Sequence, residues 1–268
     1  FGIFEMGMNH PGELRTLTGF VRPHVAIVTT IAPAHIEFFK DEAGIADAKG
    51  EIFEGLEPGG TAIIPADSPH YERLRAKALR HTDTVLSFGF SSTADVRCED
   101  YIESANGGSI VTARMKAGML QYELSQPGRH WIANSLAVLA AVEAVSGDLA
   151  VAGLALADME GLKGRGARHM LKLAEGSALL IDESYNANPA SMAATLDGLG
   201  QTSADRRIAV LGAMKELGDQ SASFHSALRA PLEVAKTDYA LLVGEEMLPL
   251  AEALAADVAW AGKFAHCA

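Results

Sequence analysis

Residues 178–192 read ALLIDESYNANPASM, and the reading of this stretch decides the fold. The apolar run 178–181 predicts a buried strand, and it breaks abruptly into Asp182, Glu183, Ser184, Tyr185 and Asn186. Asn188 and Pro189 then mark the start of a helix, because a proline in the first turn forfeits an N–H that has no partner there anyway. Polar groups gathered just past the carboxyl end of a buried strand are the layout of a ligand crevice in an open α/β sheet. A single loop of this kind also has a plainer explanation, since strand-to-helix turns are polar for solubility and for capping. The rest of the chain has to choose.

The same layout recurs. Residues 1–4 predict a short buried strand that runs into Glu5, and the β-branched run 25–31 predicts a strand that leads to His35. Residues 13–20 have helical character, and residues 44–56 place apolar side chains at 45, 48, 52, 53 and 56, one helical face, with Lys49 inside the segment. Strand 61–65, helix 71–79 and strand 85–88 follow, and this alternation predicts a mainly parallel sheet. From 94 to 124, alternating segments separated by Asn106-Gly107-Gly108 and Ala117-Gly118 predict a small antiparallel sheet. A long apolar helix spans 131–145, with Asn134 near its start, and another spans about 151–159. Residues 162–169 (LKGRGARH) read as a linker.

Beyond it, strands at 170–173 and 178–181, helix 190–199, strand 208–211, helix 222–235, strand 239–243 and helix 248–255 form a second, Rossmann-like run. Its 208–211 strand again ends in a polar loop, with Lys215 and Glu216. The fold expected is therefore α/β: a mainly parallel-sheet nucleotide-binding central domain with a small antiparallel sheet over 1–163, and a Rossmann-like domain over 164–268. The chain starts directly on a strand, and 264–268 show no closing element, so both domains are expected to be incomplete, as parts of a longer protein.

Composition bounds the function classes. Of 268 residues 49% are hydrophobic, enough for a real core. A net charge of −12 argues against a nucleic-acid or anionic-membrane surface, though backbone amides and metal ions can still hold a local anion. Two distant cysteines, Cys98 and Cys267, exclude a disulfide framework or a cysteine-rich zinc site and fit a reducing cytoplasm. No apolar run reaches membrane-spanning length. The chain has no G-x-S-x-G, H-E-x-x-H, C-x-x-C or G-x-x-x-x-G-K-[ST]. Taken singly, Glu5 is as readily a cap, His35 a packed histidine, and Lys49 a solvated helix lysine. Together the strand-end groups Glu5, His35, Asp182 and Lys215/Glu216 point to a small-molecule or nucleotide site contributed by two α/β domains.

Six segments carry a family resemblance: EMGMNHPGE (5–13), APAHIEFF (32–39), AKGEIFEGL (48–56), GRHWIANSLA (128–137), DESYNANPASM (182–192) and GAMKELGDQSASFH (212–225). In this order the set resembles the Mur ligases of peptidoglycan synthesis, and within them the members that add D-Ala-D-Ala to UDP-MurNAc-tripeptide. The resemblance implies an ATP-dependent amide ligase working through an acyl phosphate, with Mg²⁺ as cofactor, in the cytoplasm and as a monomer. It implies Glu5 and His35 as metal-side residues, His35 and Lys49 as catalytic ones, and Lys49 as a lysine that is carbamylated to become an oxygen donor to Mg²⁺. It further implies Asn134 on the adenine side, Arg165 (or Arg168, one gap away) near the phosphates, and Asp182, Tyr185 and Asn188 at the ATP ribose and base. Lys215 and His225 match the family without an assigned role.

Trp131 departs from the family, many of whose members carry Asn there. The family's phosphate loop is expected upstream of Phe1 and part of the dipeptide site beyond Ala268, so this chain alone is not expected to turn over ATP. Another Mur or folylpolyglutamate-type ligase, or a non-catalytic binding or scaffold role, are the competing readings.

Overall fold

The computed structural model describes residues 1–33, 36–104, 108–126, 128–159 and 163–268. They form two compact units, Phe1–Leu124 with His130–Asp158, and Ser125–Arg129 with Met159–Ala268.

In the first unit, helix α1 (Glu13–Val21) starts at Gly12, whose φ of +91° is a glycine conformation. Strand β1 (Val25–Ile27) follows, then helix α2 (Glu42–Lys49), capped by Asp41, whose side chain accepts from the Gly44 N–H at 2.9 Å. At Gly50 the backbone tightens into a 3₁₀ turn, Gly50–Gly55. This turn presses on α1: Thr18 Oγ1 donates to the Ile52 carbonyl at 2.8 Å, and a Cβ added at Gly55 would lie 2.5 Å from the Thr18 carbonyl oxygen.

Strand β2 (Thr61–Pro65), helix α3 (Tyr71–Ala78) and strand β3 (Thr84–Gly89) continue the run, with β1, β2 and β3 paired in parallel. All five β2 residues are buried. Successive strand side chains point to opposite faces, so Ala62 and Ile64 join Ala26, Val28, Phe53, Leu74 and Ala78 on one side. Ile63 joins the cluster of Phe88, Val96, Ile132 and Leu136 on the other. A strand covered on both faces has no polar alternate, which is why the sequence reads TAIIP.

Strand β4 (Val96–Glu103) pairs in parallel with β3, while β5 (Ser109–Met115) and β6 (Gly118–Leu124) add antiparallel, giving one six-stranded sheet in the order β1-β2-β3-β4-β5-β6. The antiparallel strands thus continue the parallel sheet. Helix α4 (Arg129–Ala144) lays Ile132, Leu136, Leu139 and Ala140 into this core at helical spacing. Tyr122 donates to Ser135 Oγ at 2.6 Å, and Ser135 donates to the Ile132 carbonyl at 2.8 Å, a buried chain in which desolvation pushes the phenol up to about 12. Helix α5 (Leu149–Ala157), capped by Asp148, comes down on β6, where a Cβ at Gly153 would stand 3.3 Å from that of Tyr122.

In the second unit, β7 (Ala167–Lys172) and β8 (Ser177–Asp182) form an antiparallel ribbon. Helix α6 (Pro189–Gln201), strand β9 (Ile208–Gly212), helices α7 (Ser221–Ala227) and α8 (Arg229–Val234), strand β10 (Tyr239–Val243), helix α9 (Leu248–Ala255) and strand β11 (Phe264–Cys267) complete it. The last three strands are parallel, in the order β11-β10-β9. Among the described residues no helix is long and apolar enough to cross a membrane.

Several elements differ from expectation. Residues 1–4 are exposed and pair with no strand among the described residues, because an extended terminus becomes a strand only where a neighbour takes its backbone groups. Strand β1 stops at Ile27, with one more ladder bond from Val28 N to the Ile63 carbonyl. The run 178–181 is not buried: Leu180 is 47% exposed, since a two-stranded ribbon covers at most one face. The helix expected over 222–235 is divided, as Pro231 has no N–H to offer the Ala227 carbonyl. Residues 264–267, read as showing no closing element, form β11, which pairs in parallel with β10.

The α1 contact yields a stability test. Gly55→Ala forces a methyl against the Thr18 backbone and is expected to cost about 1–3 kcal/mol, read as an earlier urea transition, while Gly59→Ala, with open space around its Cβ but φ +79°, isolates backbone strain alone.

Candidate functional site

In the second unit the residues after β8 fold back on the segment before β7. The Asp182 carboxylate accepts from Gly164 N–H (3.1 Å) through one oxygen and from Ser184 N–H (3.1 Å) and Ser184 Oγ (2.6 Å) through the other. Its backbone carbonyl accepts from Gly166 N–H at 3.0 Å, and Tyr185 N–H returns a bond to the Gly164 carbonyl at 3.0 Å. Gly164 and Gly166 both take positive φ, +74° and +79°. A Cβ at Gly164 would lie 2.9 Å from Tyr185 N, so the close approach requires glycine twice over. These bonds, led by that from the Ser184 hydroxyl, hold the Asp182 carboxyl below its ordinary range, whereas burial pushes the neighbouring Glu183 up.

The same fold-back sets the Arg165 guanidinium 4.1 Å from the centroid of the Tyr185 ring, a cation–π stack. Arg168 instead lies within β7, opposite Ile181. The structure thus brings Arg165, Asp182 and Tyr185 into one cluster. Asn188 stands at the head of α6 as its cap: its side chain accepts from Ser191 N–H at 2.9 Å, and Ser191 Oγ accepts from Asn188 N–H at 3.0 Å.

In the first unit Lys49 is the last residue of α2. Ile45, Ala46 and Ala48 are buried beside it, and Lys49 is half-buried with no hydrogen bond or ion pair to any described residue. Desolvation therefore lowers its pKa. The end of α2 is anchored from α3: Lys77 Nζ donates to the Asp47 carbonyl at 2.6 Å, Arg73 meets the Asp47 carboxylate at 2.9 Å, and the Lys77 stem fills the space a Cβ on Gly50 would need. Glu5 is exposed on the extended segment before α1. His35 lies outside the described residues, and among those described no three His, Cys, Asp or Glu side chains gather as a metal site. Asn134 is exposed on α4, whereas Ser135, Leu136 and Ala137 after it are buried.

Sequence reasoning passed over the residue that ties down the 5–13 loop. Glu51 is 5% exposed, and both its oxygens accept from the Gly12 N–H, at 3.0 and 2.8 Å, with Arg15 at 3.4 Å. Glu13 accepts from Asn9 N–H (2.7 Å) and His10 N–H (3.2 Å), and these bonds lower its pKa. The one available signal for Glu51 was a carboxylate set between Gly50 and the apolar pair Ile52-Phe53. Gly164 was equally silent, because its partner lies 18 residues on.

The chain matches the family model of the Mur ligase middle domain over residues 1–142 and that of the Mur ligase glutamate ligase domain over 168–268. It is 34% identical over 251 residues to the UDP-N-acetylmuramoyl-tripeptide–D-alanyl-D-alanine ligase of Escherichia coli strain K12, covering 92% of this chain and 53% of that protein. The Haemophilus influenzae protein of the same name is 31% identical, over 95% of this chain and 53% of its own length. The crystal structure of MurF from Acinetobacter baumannii superposes with a TM-score of 0.86 at 30% identity, over 98% of this chain and 54% of that one. MurF of Thermotoga maritima in complex with ADP gives 0.77 at 25% identity, over 90% and 53%. The chain spans about half the length of the curated relatives it matches.

The Asp182 cluster has a pH signature. A carboxyl whose folded pKa lies below its free value contributes stability above the free value and loses it as pH falls through the folded one. The Gly164 and Ser184 amides are therefore expected to keep their protection down through 3.8, the ordinary aspartate value, and to lose it at more acid pH. In Asp182→Ala both amides are exchange-labile at neutral pH; amide resonances followed by NMR across the titration check this.

Proposed function

The chain belongs to the Mur ligase family, and from that premise we propose that the protein it is drawn from is the ATP-dependent ligase that joins D-Ala-D-Ala to UDP-MurNAc-tripeptide. The observation that carries this reading is the 34% identity, over 92% of the chain, to a ligase of that name. We assign residues 1–163 to the central, ATP-binding domain and 164–268 to the C-terminal domain. The work belongs to a cytoplasmic step of peptidoglycan synthesis.

The chemistry follows from what a carboxylate lacks. Its leaving group would be an oxide, so a terminal carboxylate oxygen of the tripeptide first takes the γ-phosphoryl group of ATP, and ADP leaves with the electron pair of the broken P–O bond. The neutral dipeptide amine then attacks the carbonyl carbon of the acyl phosphate, the nitrogen gives up one proton, and phosphate departs with the electron pair of the broken C–O bond as the amide forms.

Of the residues here, Asp182, Tyr185 and Asn188 are proposed to meet the ribose and base, Asn134 the adenine side, and Arg165 the phosphates. Arg165 is favoured over Arg168 because it shares a cluster with Asp182 and Tyr185. Asn188 serves the site from a fixed place, since its side chain also caps α6. Glu5, His35 and Lys49 are proposed to hold Mg²⁺, which would neutralise charge on the transferring phosphoryl oxygens.

Lys49 fits that role on the structure's own terms. Its ammonium is desolvated and has no described partner, which shifts its protonation equilibrium toward the neutral amine. The neutral amine adds to CO₂ and releases one proton, leaving an anionic carbamate able to act as an oxygen ligand. Glu51 and Glu13 act as positioning residues that fix the loop bearing Glu5.

Two measurements test the reading. The intact protein is expected to release phosphate from ATP only when UDP-MurNAc-tripeptide and D-Ala-D-Ala are both present; release independent of the dipeptide refutes the substrate assignment. Lys49→Ala is expected to lower kcat by about 10³-fold, an effect of at least ~4 kcal/mol on the transition state. Short carboxylic acids partly restore it, and Lys49→Arg does not. A ¹³C carbamate resonance under labelled bicarbonate is expected to grow as pH rises and to fade on acidification, because a proton on Lys49 blocks the addition.

A further inference from the structure

His225 is fully buried in the second unit, and none of the roles above uses it. Its Nε2 accepts from the Met214 N–H at 3.0 Å. Its Nδ1 therefore carries the proton of the neutral ring and donates to the Ser221 carbonyl at 2.8 Å, one turn back on α7, with Ser221 Oγ at 3.2 Å. A ring bonded in this way has one tautomer and one orientation. Met214 is itself buried to 1%, so the bond seals a backbone amide that water cannot reach.

That amide lies in the loop after β9. Immediately beyond it come Lys215, paired with Glu246 in the turn after β10, and Glu216, whose φ is +60°. The Glu246 pairing links the turns at the carboxyl ends of two adjacent parallel strands, and the Gly244 N–H to Cys267 carbonyl bond (2.8 Å) adds the end of β11. The carboxyl edge of a parallel sheet is where ligands bind in this architecture. Adjacent charges of opposite sign there suit a zwitterion, which offers an ammonium and a carboxylate together.

We propose that His225 is a positioning residue: a neutral, single-tautomer imidazole that fixes Met214 and thereby presents Lys215 and Glu216 to the amine-bearing substrate. The assignment of that substrate rests on the ligase reading above; the fixing of the loop does not.

Two substitutions separate a hydrogen-bond role from space filling. In Gln the terminal amide reaches the place of Nε2 and can accept from Met214, whereas in Asn it reaches only the place of Nδ1. Hydrogen exchange on this chain is expected to be at least tenfold faster at Met214 in His225→Asn and His225→Leu and within twofold of the parent in His225→Gln. Equal exchange in all three overturns the proposal, and since Asn and Gln are both polar, a failure of the Leu variant to fold leaves the comparison intact.

In the intact protein, His225→Asn is expected to raise KM for D-Ala-D-Ala at least fivefold with kcat within twofold, and His225→Gln to restore it. A rise in KM for ATP alone, or a fall in kcat alone, overturns the substrate assignment. If the parent protein releases no phosphate with the dipeptide, the ligase reading fails, and the exchange measurement still decides the role of His225.

Discussion

The double burial of Thr61–Pro65 is the constraint on which the first unit depends. A five-residue strand with apolar side chains on both faces is stable only between two other strands and beneath cover on each side. Hence β1 and β3 flank it, α3 and the 3₁₀ turn supply Leu74, Ala78 and Phe53 to one face, and α4 covers the other. Pulling Phe53 under the sheet also pulls in the chain just before it. Helix α2 ends on this slope, with Ala48 and Gly50 buried, and Lys49 is carried between them into partial burial. The lowered pKa of Lys49 is thus a by-product of how the sheet is roofed.

The second unit meets a different demand. Its β7–β8 ribbon is too narrow to bury its loops by itself, so their backbone groups need partners close at hand. One carboxylate meets much of that need, since Asp182 takes two backbone N–H groups and a hydroxyl. Two glycines at positive φ give the preceding segment the curvature to arrive there. The exposed Arg165 and Tyr185 are thereby displayed from a hydrogen-bonded base.

Elements defined by a dense local pattern were legible in the sequence. TAIIP at 61–65 and YALLV at 239–243 have apolar runs bounded by turn residues, and their limits agree with the structure. So does helix 248–255. What misled was apolarity without neighbours: residues 1–4 and 178–181 look like core strands, yet burial depends on which strands stand beside them, and one sequence window does not contain that. For the candidate site, the position of Asp182 at a strand end was visible. The bond from Gly164 was not, since it joins residues far apart through backbone geometry. Lys49 looked like any helix lysine because its partial burial follows from how α2 packs, which the helical spacing alone does not show. His225 was visible only as a member of a motif, as nothing in the spacing says that Met214 offers its N–H.

The stack of Arg165 on Tyr185 has a consequence for the entropy of any anion that would meet this guanidinium. A free arginine side chain carries roughly 2 kcal/mol of rotameric freedom, most of which is lost when its guanidinium grips an anion. Here the aromatic ring has already removed much of that freedom. An anionic group that reaches Arg165 in its stacked pose gains a guanidinium that is already still, whereas one that must peel it away gives back the ring contact, about 0.5–1 kcal/mol at an exposed site. The ring therefore favours approach from the side of the guanidinium that faces away from it, and a flat group seeking Tyr185 finds one of its faces already taken.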